Sequence, residues 1–305
     1  MYLSKHIYNS GEAKGWLPWI VLAPFLGMLF VIGSVLPVDL ALGQFGLTEE
    51  DGSFNSITGF ILFLILPFSI MFFIVILWTL KVEKRSLQTI GVFWPTAAKV
   101  FPRYVMVGVL TSATVVLLIS LAGGYEIGAW LPAFESLSEL GLILLLLGGF
   151  AIQSSAEELL FRGWLLSTVS RKSNLLVGML VSSALFTLLH FDPRVAWYVA
   201  VGSFLFSIFA CYLVLVTGNI WSAMGWHVGW NWFIGVGFEI PITGIKIDVS
   251  ALIVQLSPNQ QTWLNGGNGG PENGVFCLLV LTLGILICQR SLSKRASSLR
   301  PTDDA

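Results

Sequence analysis

Charge is scarce in this chain. Of its 305 residues only 11% are Asp, Glu, Lys or Arg, whereas a soluble globular domain carries about 25%. That shortage excludes an ordinary water-soluble domain. The net charge is −1 and no basic run is long enough to track a phosphate backbone, so nucleic acid is excluded as a partner. Cysteine is scarce too. Cys211, Cys277 and Cys288 all lie in apolar stretches, at none of the spacings of a disulfide framework or a cysteine-based metal site. There is no internal repeat, which weighs against transporter folds built from inverted repeats, and no low-complexity tract. One strong flexible loop stands out, NGGNGGPENG at 265–274.

Apolar residues are what the chain has in quantity. They make up 55% of it, with 22 Phe, 12 Trp and a mean hydropathy of +0.83. They also come in long blocks, and a helix needs roughly 20 mainly apolar residues to cross the hydrocarbon core. Eight blocks run approximately over 16–37, 57–80, 104–122, 138–156 (with a helical continuation to about 170), 174–190, 195–216, 219–240 and 274–289. The expected fold class is therefore all-α, a polytopic membrane protein of about eight transmembrane helices. It forms a single membrane domain over 1–305. The first block is too long for a cleaved signal and no small-x-small site follows it, so it reads as a retained span.

Lys and Arg placement sets the expected orientation, because cytoplasmic loops are enriched in them. With the N-terminus inside, 13 Lys and Arg fall on the cytoplasmic side and only Arg194 and Lys246 outside, Arg162 being set aside. The first two outer loops are acidic instead, with Asp39, Glu49, Glu50, Asp51, Glu126 and Glu135. Both termini are expected in the cytoplasm.

Ionisable residues inside apolar segments are costly and are functional candidates by default. Here they form three groups in the second half of the chain. In EELLFR, 157–162, Glu158 and Arg162 are four apart on one helical face, acid first, which is the favourable order. Glu157 is rotated about 100° away and has no partner in its own segment. A free carboxylate in a dry cavity suits general acid/base chemistry. In FTLLH, 186–190, His190 closes a segment one turn after Phe186, ahead of Asp192-Pro193; a histidine capping a helix C-terminus is the plainer alternative. In HVGWN, 227–231, His227 and Asn231 share a face among four tryptophans; a helix–helix hydrogen-bond contact is the alternative there. Together the groups supply a carboxylate, two imidazoles and an amide. That set can activate a water and stabilise an oxyanion. Glu157, His190 and His227 also come close to a His/His/carboxylate zinc site with one open position, so zinc-dependent and metal-free chemistry both stay open.

The order EExxxR, FxxxH, HxxxN on successive helices resembles the CPBP family of CAAX proteases and bacteriocin-processing or immunity proteins. The resemblance spans roughly 140–240, the expected catalytic core. RSLQTIG at 85–91 is similar to a segment found upstream in such proteins, and TWLNGGNGGPENG at 262–274 to a loop in some bacterial members. The resemblance implies an intramembrane endopeptidase acting on a peptide or protein substrate in the lipid bilayer of a bacterial inner membrane. It implies Glu157 as the base that activates water, His190 as its assistant, His227 and Asn231 as the oxyanion pair or metal ligands, and Glu158 and Arg162 as braces. A catalytically silent immunity homologue and a transporter using the same polar residues are the alternatives. Depth poses one difficulty. Glu157 and His190 each lie about 16 residues from the turn at 172–174, roughly 24 Å of helix, whereas His227 is only about 8 residues into its segment, roughly 12 Å. Helix overhang, tilt or a break near Gly148-Gly149 could reconcile them.

Overall fold

The computed structural model describes residues 11–49, 53–191 and 198–298. Each of the eight apolar blocks forms a helix. They are α1 Leu22–Gln44, α2 Ile57–Leu77, α3 Trp94–Leu121, α4 Leu137–Lys172, α5 Leu175–Leu189, α6 Tyr198–Thr217, α7 Trp221–Phe238 and α8 Val275–Ser298. Six of these are long and apolar enough to cross a membrane: α1, α2, α3, α4, α6 and α8. The two others depart from the expected eight for different reasons. α5 has 15 residues, about 22 Å of helix against a hydrocarbon core of about 30 Å. α7 is long enough, but polar and small residues interrupt its apolar run, and it is buried along nearly its whole length.

Two helices run beyond their apolar blocks, and both extensions involve a proline. Block one was expected to stop near Pro37, yet α1 runs through Pro37 to Gln44 and takes Asp39 into its last turns. Proline is tolerated inside membrane helices because neighbouring groups re-satisfy the freed backbone. α3 starts ten residues before its apolar block because Pro95 sits in its first turn, where the missing N–H costs nothing. α5 starts sharply at Asn174, whose side chain accepts from Val177 N at 3.0 Å.

A two-stranded antiparallel ribbon was not foreseen. β1 Tyr125–Trp130 pairs with β2 Val254–Pro258 on the side opposite the α4–α5 turn. Both strands are too short for a period-2 pattern to register in a sequence dominated by apolar blocks.

Between α2 and α3 the chain makes a buried connector rather than an open loop. Arg85, counted above among the loop charges, is almost fully buried. Its Nε pairs with Glu83 Oε2 at 2.6 Å, and its Nη1 and Nη2 donate to Ser167 Oγ at 2.6 Å and Thr168 Oγ1 at 2.9 Å. Glu83 Oε1 accepts from Trp164 Nε1 at 2.8 Å and Trp78 Nε1 at 3.2 Å. Burial lowers the Arg85 pKa from its usual value, and the adjacent Glu83 carboxylate opposes that shift. The connector thus ties the start of the RSLQTIG segment to the far end of α4.

The connector also resolves the depth difficulty. Ile220, just before α7, is fully buried and its N–H donates to Gly91 O at 3.0 Å. α7 therefore starts inside the protein, beneath the connector, and not at the plane from which the other helices were measured. α4 shows no break at Gly148-Gly149. Its irregularity is a π-helical turn at Leu159–Leu165.

Candidate active site

α7 carries two of the site's side chains, and glycine decides which way they face. A Cβ at Gly225 would overlap the carbonyl oxygen of Phe101, and one at Gly229 that of Val105; a Cβ at Gly108 would meet Trp226 O in return. The backbones of α3 and α7 touch through this small-xxx-small seam, as in close-packed membrane helices. His227 and Asn231 each lie two residues past one of the α7 glycines. At 100° per residue they point about 200° away from α3, toward the interior.

α4 supplies the carboxylates. Glu158 is fully buried and Glu157 is 8% exposed. The π-helical turn starts directly after them; such turns often occur at functional sites. Arg162 Nη1 donates to Glu158 Oε1 at 2.9 Å, the expected i,i+4 pair. The same oxygen is 2.8 Å from His227 Nδ1. That bond was not anticipated. With a carboxylate at Nδ1, the Nδ1 proton is held and Nε2 is turned to the cavity, where it lies 3.9 Å from Glu157 Oε2. This separation is too long for a hydrogen bond, and Glu157 Oε2 accepts none within the described residues.

His190 closes α5, half-buried. Its Nδ1 lies 2.8 Å from the carbonyl oxygen of Phe186, which can only accept, so Nδ1 carries a proton and in the neutral ring Nε2 carries the lone pair. The ring stacks on Phe186 with centroids 4.2 Å apart. On the same aromatic ring lies the Arg162 guanidinium, 4.3 Å from its centroid. Phe186 therefore links the His190 and Glu158 groups. Asp192-Pro193 lies outside the described residues.

Glu157, His190, His227 and Asn231 line one cavity of about 420 Å³. Three elements have brought together what the sequence had on separate segments. The lining also contains aromatic rings from α2, Phe60, Phe63 and Phe68. The lining further includes Thr243 and Glu272. Glu272 Oε2 accepts from Thr243 N at 2.7 Å and Oγ1 at 2.9 Å, while Oε1 accepts from Trp230 Nε1 at 2.9 Å. Sequence reading saw the Gly-Pro-Glu loop but gave Glu272 no role. It also missed Gln153, whose position four residues before Glu157 placed it on the same face. Glu158 and Arg162 stand behind the cavity, in contact with the residues that line it.

Glu157, His190 and His227 do not stand as a ready three-ligand cluster for zinc. Among the described residues, no three His, Cys, Asp or Glu side chains stand close enough together to hold a metal. Both imidazoles have their Nδ1 bonded to protein oxygens, which leaves each Nε2 as the nitrogen able to meet a water or an ion. No step below passes through a metal.

Fold and site together define a helical membrane protein with a buried carboxylate–imidazole–amide centre. Residues 139–233 match a family model described as Rce1-like, the type II CAAX prenyl endopeptidases. The matched segment holds Glu157, Glu158, Arg162, His190, His227 and Asn231, and agrees with the CAAX-protease resemblance of the motifs. No curated protein and no solved structure matches the chain. The family is one of peptidases, which implies a peptide or protein substrate and a membrane setting.

Proposed function

We propose that the protein is an intramembrane endopeptidase in which Glu157 activates a water against a peptide bond. The observation that carries this reading is the convergence of Glu157, His190, His227 and Asn231 on one cavity, with Glu157 Oε2 accepting no hydrogen bond from the described residues. Glu157 takes a proton from the water, and His190 Nε2 accepts a hydrogen bond from the same water and orients it. The hydroxide adds to the carbonyl carbon. Asn231 turns an Nδ2 N–H to the carbonyl oxygen as its charge develops, and His227, held through Nδ1 by Glu158, donates to the same oxygen when its Nε2 is protonated as well. The proton on Glu157 then passes to the leaving nitrogen, the C–N bond breaks, and a carboxylate and an amine leave. Glu158 and Arg162 act through His227 and not on the substrate.

The aromatic lining suits an extended peptide entering with bulky apolar groups. The membrane is a bacterial inner membrane in this reading, with both termini cytoplasmic, following the Lys and Arg bias.

The test uses purified, reconstituted protein and quenched-fluorescent peptides ending in a Cys-aliphatic-aliphatic-X sequence, with and without a farnesyl group. Cleavage is expected, and Glu157→Gln should lower kcat by about 10³-fold, within the range for loss of a general base. Thermal stability of the variant should change little. Full activity of Glu157→Gln would remove the assignment, and a wild-type protein that binds but does not cleave would point to a silent homologue.

A further inference from the structure

Gln153 is a buried amide that none of the motifs includes. It lies on α4 one turn before Glu157, is 8% exposed, and lines the same cavity. Its Oε1 accepts from Ser154 Oγ at 2.9 Å and from Asn231 Nδ2 at 3.4 Å. With both amides assigned this way, Ser154 and Asn231 donate to Oε1 and the Nε2 end of Gln153 is turned from them. Its Nε2 is left with two N–H donors and makes no hydrogen bond to a described residue. Nε2 is not sealed inside the protein, and an acceptor that enters the cavity lined by Gln153 can reach it.

We infer that Gln153 is a further catalytic residue of the site: its Nε2 donates to the carbonyl oxygen of the scissile peptide as negative charge develops there, while its Oε1 holds Asn231 in place. Three facts meet in this assignment. The donor belongs to the wall that carries the base, one helical turn away. The acceptor end is already engaged with the amide that faces the same oxygen. A peptide carbonyl is a group with acceptor capacity and no proton, which is what two unused N–H donors select. Asn231 and Gln153 together then form a two-amide oxyanion hole, with His227 beside it.

The inference rests on the proposed peptidase reading, and the experiment separates the two. Gln153→Met keeps side-chain volume and removes both hydrogen-bonding ends. With the farnesylated quenched peptide, kcat is expected to fall about 10²-fold, the usual loss for one oxyanion donor, with KM nearly unchanged. Inhibition by the same peptide carrying a phosphinate at the scissile bond should weaken by a similar factor, since the phosphinate oxygens mimic the developing charge. Gln153→Glu serves if Gln153→Met does not fold: it keeps Oε1 for Ser154 and Asn231 and replaces both N–H donors by an anionic oxygen, so a loss in kcat at least as large is expected. An unchanged kcat in either folded variant overturns the inference, as does a loss confined to KM with phosphinate inhibition unaffected. If the wild-type protein cleaves none of the peptides, or Glu157→Gln remains active, the peptidase reading fails and takes this inference with it. If those results hold and the Gln153 variants turn over normally, this inference alone fails.

Discussion

Glu158 Oε1 lies 2.8 Å from His227 Nδ1, joining α4 to α7 through a carboxylate that also receives Arg162. The oxygen thus holds one cation and one imidazole at once. This makes Glu158 the strut of the site: it neutralises Arg162, fixes the tautomer of His227 and sets the direction of His227 Nε2. A carboxylate behind an imidazole is a common way to orient the ring and raise its basicity.

Glu158→Gln should therefore act on both stability and activity. Removing one partner of a buried ion pair costs about 3–5 kcal/mol, so a clear drop in thermal stability is expected, larger than for Glu157→Gln. Adding Arg162→Met should recover much of the stability but not the activity, because His227 still lacks its anionic partner. Thermal denaturation of the two single variants and the double variant measures the coupling. Equal stability of Glu157→Gln and Glu158→Gln would contradict the strut role.

Gly229 sets the distance between α3 and α7. Gly229→Val should force the helices apart, since its Cβ would overlap the Val105 carbonyl. His227 and Asn231 would be displaced although neither is altered. We expect kcat to fall by at least about 10²-fold, because misplacement by 1 Å far from the chemistry can cost that much. Gly218→Ala is a useful comparison: its Cβ meets nothing within 4 Å, though φ is +70°. It should cost stability modestly and leave turnover per folded molecule intact.

Arg85 should prove structural. Arg85→Met leaves Glu83 buried without its cation, and a loss of about 3–5 kcal/mol is expected on that ground. Glu83→Gln combined with Arg85→Met should be milder than Arg85→Met alone. Folding yield and thermal stability in detergent check this; a double variant worse than the single one would show that the pair is not the unit.

Orientation follows from the charge bias. Reporter fusions after residue 48 and after residue 298 should report opposite compartments, the latter cytoplasmic. The same compartment for both would overturn the topology.

Metal dependence can be read independently of the geometry. Activity should survive dialysis against a zinc chelator, and elemental analysis of the purified protein should find less than one zinc per chain. Loss of activity on chelation, restored by zinc alone, would mean that Glu157, His190 and His227 close around an ion in the working state.

Much of this protein was legible in its amino-acid order. Eight apolar blocks became eight helices because a long apolar segment in lipid must satisfy its own backbone. The Glu158–Arg162 pair and the stacking of Phe186 on His190 were legible because i,i+4 neighbours meet on any helix. The motif order pointed to the peptidase family through residues that the family match also contains. Tertiary structure decided the rest. Helical phase alone left Glu158 as a partner for Arg162 only; the bond to His227 spans 69 residues and has no local signal. The level of His227 depended on where α7 begins, and that is set by a buried connector whose Arg85 read as a loop charge. The β1–β2 ribbon needed a partner strand over a hundred residues away. Local periodicity fixes which residues share a helix face. Which faces meet, and at what depth, depends on close packing between segments that sequence spacing does not encode.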